Sequence, residues 1–270
     1  MDDLSLVLRK SYRTIWISDI HLGSYGCKAE HLLNFLENIK CNKIYLVGDI
    51  IDGWRLKKKW YWPQAHNDVV QKLLKIAKKG TKVIFIPGNH DEAARKYIGI
   101  NFGDIKIQDE ADHSTLDGKR LWVIHGDQFD GIMQHARWLA HIGDKGYSTL
   151  IRINNLINKI RNIFNLPYWS LSKYIKLKVK KAVSFVTAFE TVMVKEAKRR
   201  GYDGIVCGHI HKAELKEIDG VLYANDGDWV ESLTALAENH DGRLEILDYS
   251  KNLEFSYFKT HQKKTLIKTS

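Results

Sequence analysis

The first half of the chain alternates short apolar runs with stretches of helical spacing. Ile15-Trp16-Ile17, Ile44-Tyr45-Leu46-Val47, Val83-Ile84-Phe85-Ile86 and Leu121-Trp122-Val123-Ile124 are uninterrupted by polar residues and rich in β-branched and aromatic side chains. Runs of this kind are strands buried on both faces. Between the first two, Leu32, Leu33, Phe35, Leu36 and Ile39 share one helical face; between the next two, Val69, Val70, Leu73, Leu74 and Ala77 do the same. Strand, helix and strand at this interval predict an open α/β sheet.

Past Ile205-Val206-Cys207 the character changes. Apolar runs at 221–224, 233–237 and 244–247 are punctuated by Asp219-Gly220 and Asp241-Gly242, and Asp-Gly beside apolar runs is a strong hairpin signal. The second half is therefore expected to add an antiparallel sheet, with two sheets packed together and helices outside. In between, Leu150, Ile153, Ile157, Ile160 and Phe164 recur at helical spacing up to Pro167, and Leu171, Ile175, Val179, Ala182, Val186, Phe189, Met193 and Ala197 form a second amphipathic run. Residues 132–200 thus read as a helical insert.

Composition bounds this picture without changing it. In 270 residues, eight Trp, twelve Tyr and nine Phe can fill a sizeable core and exclude disorder as the main state. The length fits one domain over residues 1–260 with the insert at 132–200, and 261–270, with Lys263, Lys264 and Lys268, as a flexible tail. Cys27, Cys41 and Cys207 form neither a CxxC nor an even set, which argues against a disulfide scaffold or a thiolate zinc site and for a reducing cytosol. No signal peptide or membrane-spanning run is legible, so a cytoplasmic protein is expected, peripheral on the inner face of the membrane if it meets lipid at all.

Charge does change the picture, because it is uneven. Residues 132–200 hold fourteen Lys/Arg against three acids, a local +11; the rest carry −1, which restores the overall +10. One segment is basic, not the protein. Lys176, Lys178, Lys180 and Lys181 crowd part of it, pointing to an anionic partner such as a phosphorylated substrate or an anionic membrane surface. A helical layer with its lysines merely in water accounts for the same pattern.

The chemistry stands at strand ends. Asp19-Ile20-His21 follows the first strand, Gly48-Asp49-Ile50-Ile51-Asp52 the second, Gly88-Asn89-His90-Asp91 the third, His125-Gly126-Asp127 the fourth, and Gly208-His209-Ile210-His211 follows 205–207. Ligands of open α/β sheets bind outside the carboxyl ends of strands. Each motif alone is unremarkable as a turn; five together would crowd polar groups into one cleft without compensation unless metal or hydrogen bonds held them. Asp19, His21, Asp49, Asn89, His125, His209 and His211 are seven candidate metal ligands, enough for two divalent ions if Asp49 bridges. Paired ions stabilise the attacking and leaving oxygens of phosphoryl displacement. Nitrogen and oxygen donors without thiolate suit Mn²⁺, with Fe²⁺ or Zn²⁺ as alternatives.

The five blocks, in order from Asp19 to His211, closely resemble the pattern DxH, GDxxD, GNH(D/E), a later histidine and GHxH of the calcineurin-like metallophosphoesterase superfamily. The resemblance implies a four-layer α/β/β/α metallophosphoesterase sandwich, with residues 132–200 as a helical cap insertion. It assigns one ion to Asp19, His21, Asp49 and His211, and the other to Asp49, Asn89, His125 and His209. It also implies water activated at the ions as nucleophile, and His90 contacting phosphate and protonating the leaving group while Asp52 or Asp91 orients its ring.

Departures narrow the substrate. Phosphoprotein phosphatases of the superfamily place Arg directly after GDxxD, where this chain has Gly53 and Trp54. The chain is more similar to the branch containing UDP-2,3-diacylglucosamine pyrophosphatase, in length, metal blocks and the insert between HGD and GHxH. That similarity implies a lipid-linked nucleotide substrate, cleaved to UMP and 2,3-diacylglucosamine 1-phosphate in lipid A synthesis, with Lys178, Lys180, Lys181 and Trp54 as substrate contacts. His90 departs from the Arg usual in that branch, a difference that bears on substrate identity rather than hydrolysis. A soluble phosphodiesterase or nuclease is the second reading; Lys57-Lys58-Lys59-Trp60-Tyr61-Trp62 could line a nucleic-acid groove, but nucleic acid is the weaker expectation. A non-catalytic metal-binding module ranks last, since no ligand is missing.

Overall fold

The computed structural model describes residues 10–132, with side chains to 129, and residues 186–250. The first apolar runs form strands β1 (Lys10–Ile17), β2 (Ile39–Val47) and β3 (Lys82–Ile86), linked through helix α1 (Ala29–Asn38), short helix α2 (Gly53–Lys58) and helix α3 (Gln64–Lys78). β4 (Asn101–Phe102), β5 (Ile105–Ile107), β6 (Ala111–Ser114) and β7 (Arg120–Val123) follow, then β8 (Gly204–Cys207), β9 (Glu214–Ile218), β10 (Val221–Asn225), β11 (Thr234–Glu238) and β12 (Leu244–Asp248). One sheet has the order β12-β11-β1-β2-β3-β5-β4 and the other β6-β7-β8-β10-β9.

Alternation along each strand explains why the runs are apolar throughout. The parallel register sets Ile15 beside Ile44 and Ile44 beside Val83. These residues face Leu32 and Leu36 of α1 and Val69 and Leu73 of α3. Their neighbours Trp16, Tyr45 and Ile84 point the other way, against Leu121, Val123, Val206 and Ala224 of the second sheet. Trp16 stacks on Tyr45 with ring centroids 5.6 Å apart. Each fully buried aliphatic side chain contributes about 1.5–3 kcal/mol over its exposed form, so both layers depend on this phase of the pattern. The expected packing of two sheets with helices outside the first is the observed architecture.

The second half differs from expectation in its connections. Both Asp-Gly hairpins form, joining β9 to β10 and β11 to β12. The second hairpin, however, joins the first sheet: β11 runs antiparallel to β1, with Ile15 opposite Ala237. The second sheet is mixed rather than antiparallel, since β7, β8 and β10 are mutually parallel and only β6 and β9 run against them. A turn signal specifies pairing across the turn and is silent about which free edge the hairpin meets. β11 is buried on both faces, Leu236 toward the second sheet and Ala235 and Ala237 toward the helices, and β1 offers an edge with matching cores on both sides.

Glu238, fully buried at the end of β11, ties the sheets together. Arg13 Nη1 donates to its two oxygens at 2.5 and 2.6 Å and to the Ser114 carbonyl at 3.1 Å. His113 Nε2 donates at 3.0 Å and the Leu116 amide at 2.9 Å.

Residues 10–127 with 194–250 form one compact unit, and 128–132 with 186–193 belong to a second. Of the expected insert, only the helix at 186–199 and the few residues beside it are described. Just past its end, Arg200 lies over Trp122 at 4.2 Å and pairs with Glu110 at 3.0 Å. Lys178, Lys180, Lys181 and the tail at 261–270 lie outside the described residues. The three cysteines are free. No helix among the described residues is long and apolar enough to cross a membrane.

Candidate metal centre

Five strands deliver the five motifs: β1, β2 and β3 of the first sheet, β7 and β8 of the second. The chain turns sharply at each of these ends. Seven non-glycine residues among those described have positive φ, and five of them are Asp19 (49°), His21 (54°), Asp49 (53°), His209 (71°) and His211 (53°). Left-handed backbone costs an L-residue free energy, less for Asp and His than for branched residues, and persists where the surroundings over-determine it. Close approach is the other requirement. A Cβ at Gly88 would run into the Asp49 carboxylate and the His125 ring, and one at Gly208 into Ser18 and Asp19.

The side chains converge in three overlapping groups: Asp19, His21 and His211; His21, Asp49 and His90; and Asp49, His125 and His209, with the donor atoms of each group within 4.8 Å of one another. Asp19 Oδ2 accepts from Ser18 Oγ at 2.6 Å and the His209 amide at 2.8 Å, which turns Oδ1 toward His211 Nε2 (3.0 Å) and His21 Nε2 (3.8 Å). Asp49 faces both sides, with Oδ1 3.4 Å from His125 Nε2 and Oδ2 3.8 Å from His21 Nε2. His125 Nδ1 donates to the Val47 carbonyl at 2.7 Å, leaving Nε2 to face His209 Nδ1 at 3.2 Å. A far-side partner that fixes the tautomer is the usual support of a metal-binding imidazole. Asn89 is buried on the same turn as His90.

Electrostatics shows what this cluster lacks. Burial raises the Asp19 carboxyl, yet His211, His125 and His21 together pull it below the ordinary range. Asp49 is likewise lowered, burial being outweighed first by His125. The reciprocal effect lifts His125 to about 10 and His211 to about 9, because Asp49 and Asp19 overcome the burial that would lower them. Protons on imidazoles thus balance the carboxylates. Asp19 Oδ1 nevertheless has only its ion pair with His211, and His21 Nε2 is buried without a hydrogen-bond partner, which is costly for a polar atom. Oxygen and nitrogen donors converging in this way, with no thiolate, fit a divalent cation.

The expected partners of His90 divide. Asp52 Oδ1 accepts from His90 Nδ1 at 2.9 Å, and its Oδ2 lies 3.6 Å from His21 Nδ1, so one carboxylate faces both rings. Asp91 instead accepts from the Gly88, Asp49, Ile50 and Ile51 amides and pins the β2 and β3 turns together. Burial and then Asp49 lift it to about 6. Trp54 packs on the His90 ring at 4.2 Å between centroids. In the Lys57–Trp62 stretch, Trp60 is largely exposed while Trp62 packs against the core beside α3.

Sequence reasoning missed three supports. Arg95 pairs with Asp127 at 2.7 Å, joining the third and fourth motifs. Ser18 Oγ also lies 2.6 Å from Asp226 Oδ1. Burial pushes Asp226 well above the carboxylate range, and Asp19 adds to the shift. The Ser18 hydroxyl thus lies within donating reach of both Asp19 Oδ2 and Asp226 Oδ1 and links the two carboxyl groups. The only trace of this in the sequence is Asn225-Asp226-Gly227-Asp228, which reads as a turn.

The calcineurin-like phosphoesterase family model matches residues 12–213. The UDP-2,3-diacylglucosamine hydrolase of Aliivibrio fischeri is 23% identical over 238 residues, covering 80% of this chain and 90% of the relative. That of Vibrio cholerae is 23% identical over 260 residues, covering 92% and 99%. A solved archaeal phosphodiesterase superposes with a TM-score of 0.44 at 14% identity, over 87% of this chain and 98% of its own.

Proposed function

The chain belongs to the calcineurin-like phosphoesterase family, a family of metal-dependent hydrolases, and from that premise we propose that it cleaves the phosphoanhydride of UDP-2,3-diacylglucosamine, releasing UMP and 2,3-diacylglucosamine 1-phosphate. The observation that carries the hydrolytic reading is the convergence of Asp19, His21, Asp49, His125, His209 and His211, nitrogen and oxygen donors gathered in one site. The substrate reading is supported by relatives of that name whose length this chain spans almost entirely.

Asp19, His21, Asp49 and His211 would hold one divalent ion, and Asp49, Asn89, His125 and His209 the other, with Mn²⁺ the proposed metal. Bound there, the pair lowers the pKa of water and neutralises charge on the phosphoryl oxygens. The chain's own residues supply orientation and the proton. His90 contacts the phosphate through Nε2, since Asp52 occupies Nδ1. That contact leaves Nε2–H directed at the leaving oxygen, to which it can pass. Asp91 serves by fixing the two turns rather than by touching the ring. Trp54 of α2 is a proposed substrate contact, and so are Lys178, Lys180 and Lys181 of a cap that meets a lipid-borne substrate at an anionic membrane surface.

The experiment incubates metal-loaded protein with UDP-2,3-diacylglucosamine in detergent and assays UMP. Mn²⁺-dependent release is expected. No UMP, with hydrolysis of bis(p-nitrophenyl) phosphate intact, would replace the lipid-linked substrate by a soluble phosphodiester.

A further inference from the structure

Within the same compact unit lies a cavity of about 540 Å³ that opens to the surface. Its walls come from Leu73 and Leu74 of α3, Phe85 of β3, Ile105 and Ile107 of β5, and Trp54 of α2. These walls offer almost no hydrogen bonding, so water inside is poorly held and an apolar occupant gains by displacing it. A dry cavity of about 150 Å³ already takes a benzene, and ligand pockets span about 300–1,000 Å³. The lining also includes Tyr97, Ile100 and Phe102, which are 56%, 56% and 60% exposed. Large apolar side chains gathered in water around a cavity mark a surface that meets something apolar.

One wall is shared with the reactive cluster. His90 lines the cavity, packs on Trp54, and is bonded through Nδ1 to Asp52. Lys57 adds a cation to the lining. A molecule with phosphate at His90 therefore has an apolar space next to that phosphate. We propose that this cavity binds an unbranched alkyl chain of the substrate, phosphate at the metal centre and chain between α3, β3 and β5. The lining residues all belong to the metal-bearing unit. The inference rests on the phosphoester reading of the centre and adds where an acyl tail is held.

The test titrates full-length, Mn²⁺-loaded protein with butyl, hexyl and octyl phosphate in a calorimeter. Each methylene buried should tighten binding about fourfold, about 0.8 kcal/mol, placing octyl on the order of a hundredfold below butyl in Kd. Leu74→Trp, which fills the cavity, should weaken octyl phosphate at least about tenfold; Val70→Phe is a milder filling, and circular dichroism melts report folding of each. A flat series overturns the proposal, and a cavity filled by another part of the chain or a second copy would give one. So does a steep series that both filled variants retain, since the chain would then lie elsewhere. Wild-type hydrolysis of bis(p-nitrophenyl) phosphate separates the two readings. Hydrolysis with a flat series removes the alkyl site alone; a steep series without hydrolysis of any phosphoester removes the enzymatic reading alone.

Discussion

Glu238 and Asp19 are both fully buried carboxylates facing imidazoles, one opposite Thr14 in β1 and the other two residues beyond the end of that strand. Their surroundings differ in one respect. Arg13, His113 and the Leu116 amide supply both oxygens of Glu238 with donors, and its backbone lies within regular strand. Asp19 has one oxygen held by protein donors and the other facing only imidazoles, on left-handed backbone, with those imidazoles kept charged by the carboxylates. A buried acid completed by its own protein ties the fold together; one left incomplete, at a position that costs backbone free energy, is built for something that arrives later.

That contrast breaks most sharply at His125, whose Nε2 faces Asp49 and His209. His125→Ala should lower kcat/KM by about 10⁴-fold, about 5.5 kcal/mol of lost transition-state stabilisation, and reduce bound metal below two ions per chain by elemental analysis. Its melting temperature without metal should also fall, because the charged ring pairs with the buried Asp49 carboxylate; what sets the variant apart is that bound metal is lost with it. Full activity in this variant would dissolve the distinction between the two clusters.

Glu238→Ala should cost stability alone. Removing one partner leaves Arg13, His113 and the Leu116 amide without their acceptor, and breaking a buried pair in this way costs about 3–5 kcal/mol. Urea unfolding should register that loss, while metal content per folded molecule stays at the wild-type value. Asp226 sits between the two cases, as it is buried like Glu238 and acts on the centre through Ser18. Asp226→Ala should weaken Mn²⁺ about 10- to 100-fold, the usual effect of removing a ligand's support. Asp226→Asn, which keeps an oxygen that Ser18 can donate to, should stay within about threefold of wild type by competition against a chelating indicator.

The two clusters were unequally legible. The centre announced itself because its residues follow apolar runs at short, repeated offsets. The Glu238 cluster draws Arg13, His113, Leu116 and Glu238 from sites up to 225 residues apart, with no local pattern to mark them. β9 escaped notice because Glu214–Ile218 is a half-buried edge strand of mixed polarity. The placement of the β11–β12 hairpin depended on a free edge of β1, which is a property of the assembled sheet. Asp52 and Asp91 look alike in the sequence, each just after a ligand-bearing turn; only the direction of their carboxylates separates one that faces imidazoles from one that holds amides.

Near neutrality pH has the smallest effect, but it separates the clusters by sign. Glu238 is held down to about 2, burial being outweighed by His113 and Arg13, so its contribution is complete above about 4.5 and lost as pH falls toward 2. Burial lowers His113, so the unfolded chain takes up a proton below about 6.5 that the folded one refuses, and stability is again lost toward acid. His211 and His125 are raised to about 9 and 10, and their contribution is complete below about 6.5 and lost as pH rises through those values. Chelated protein should therefore lose stability on both the acid and the alkaline side. Metal replaces those imidazole protons, so Mn²⁺ should remove the alkaline limb and leave the acid limb as it was. Unfolding midpoints from pH 4 to 10, with EDTA and with Mn²⁺, read both limbs in one series. If Mn²⁺ moved neither limb, the charged imidazoles beside Asp19 would be a finished salt-bridge network, no different in kind from the one around Glu238.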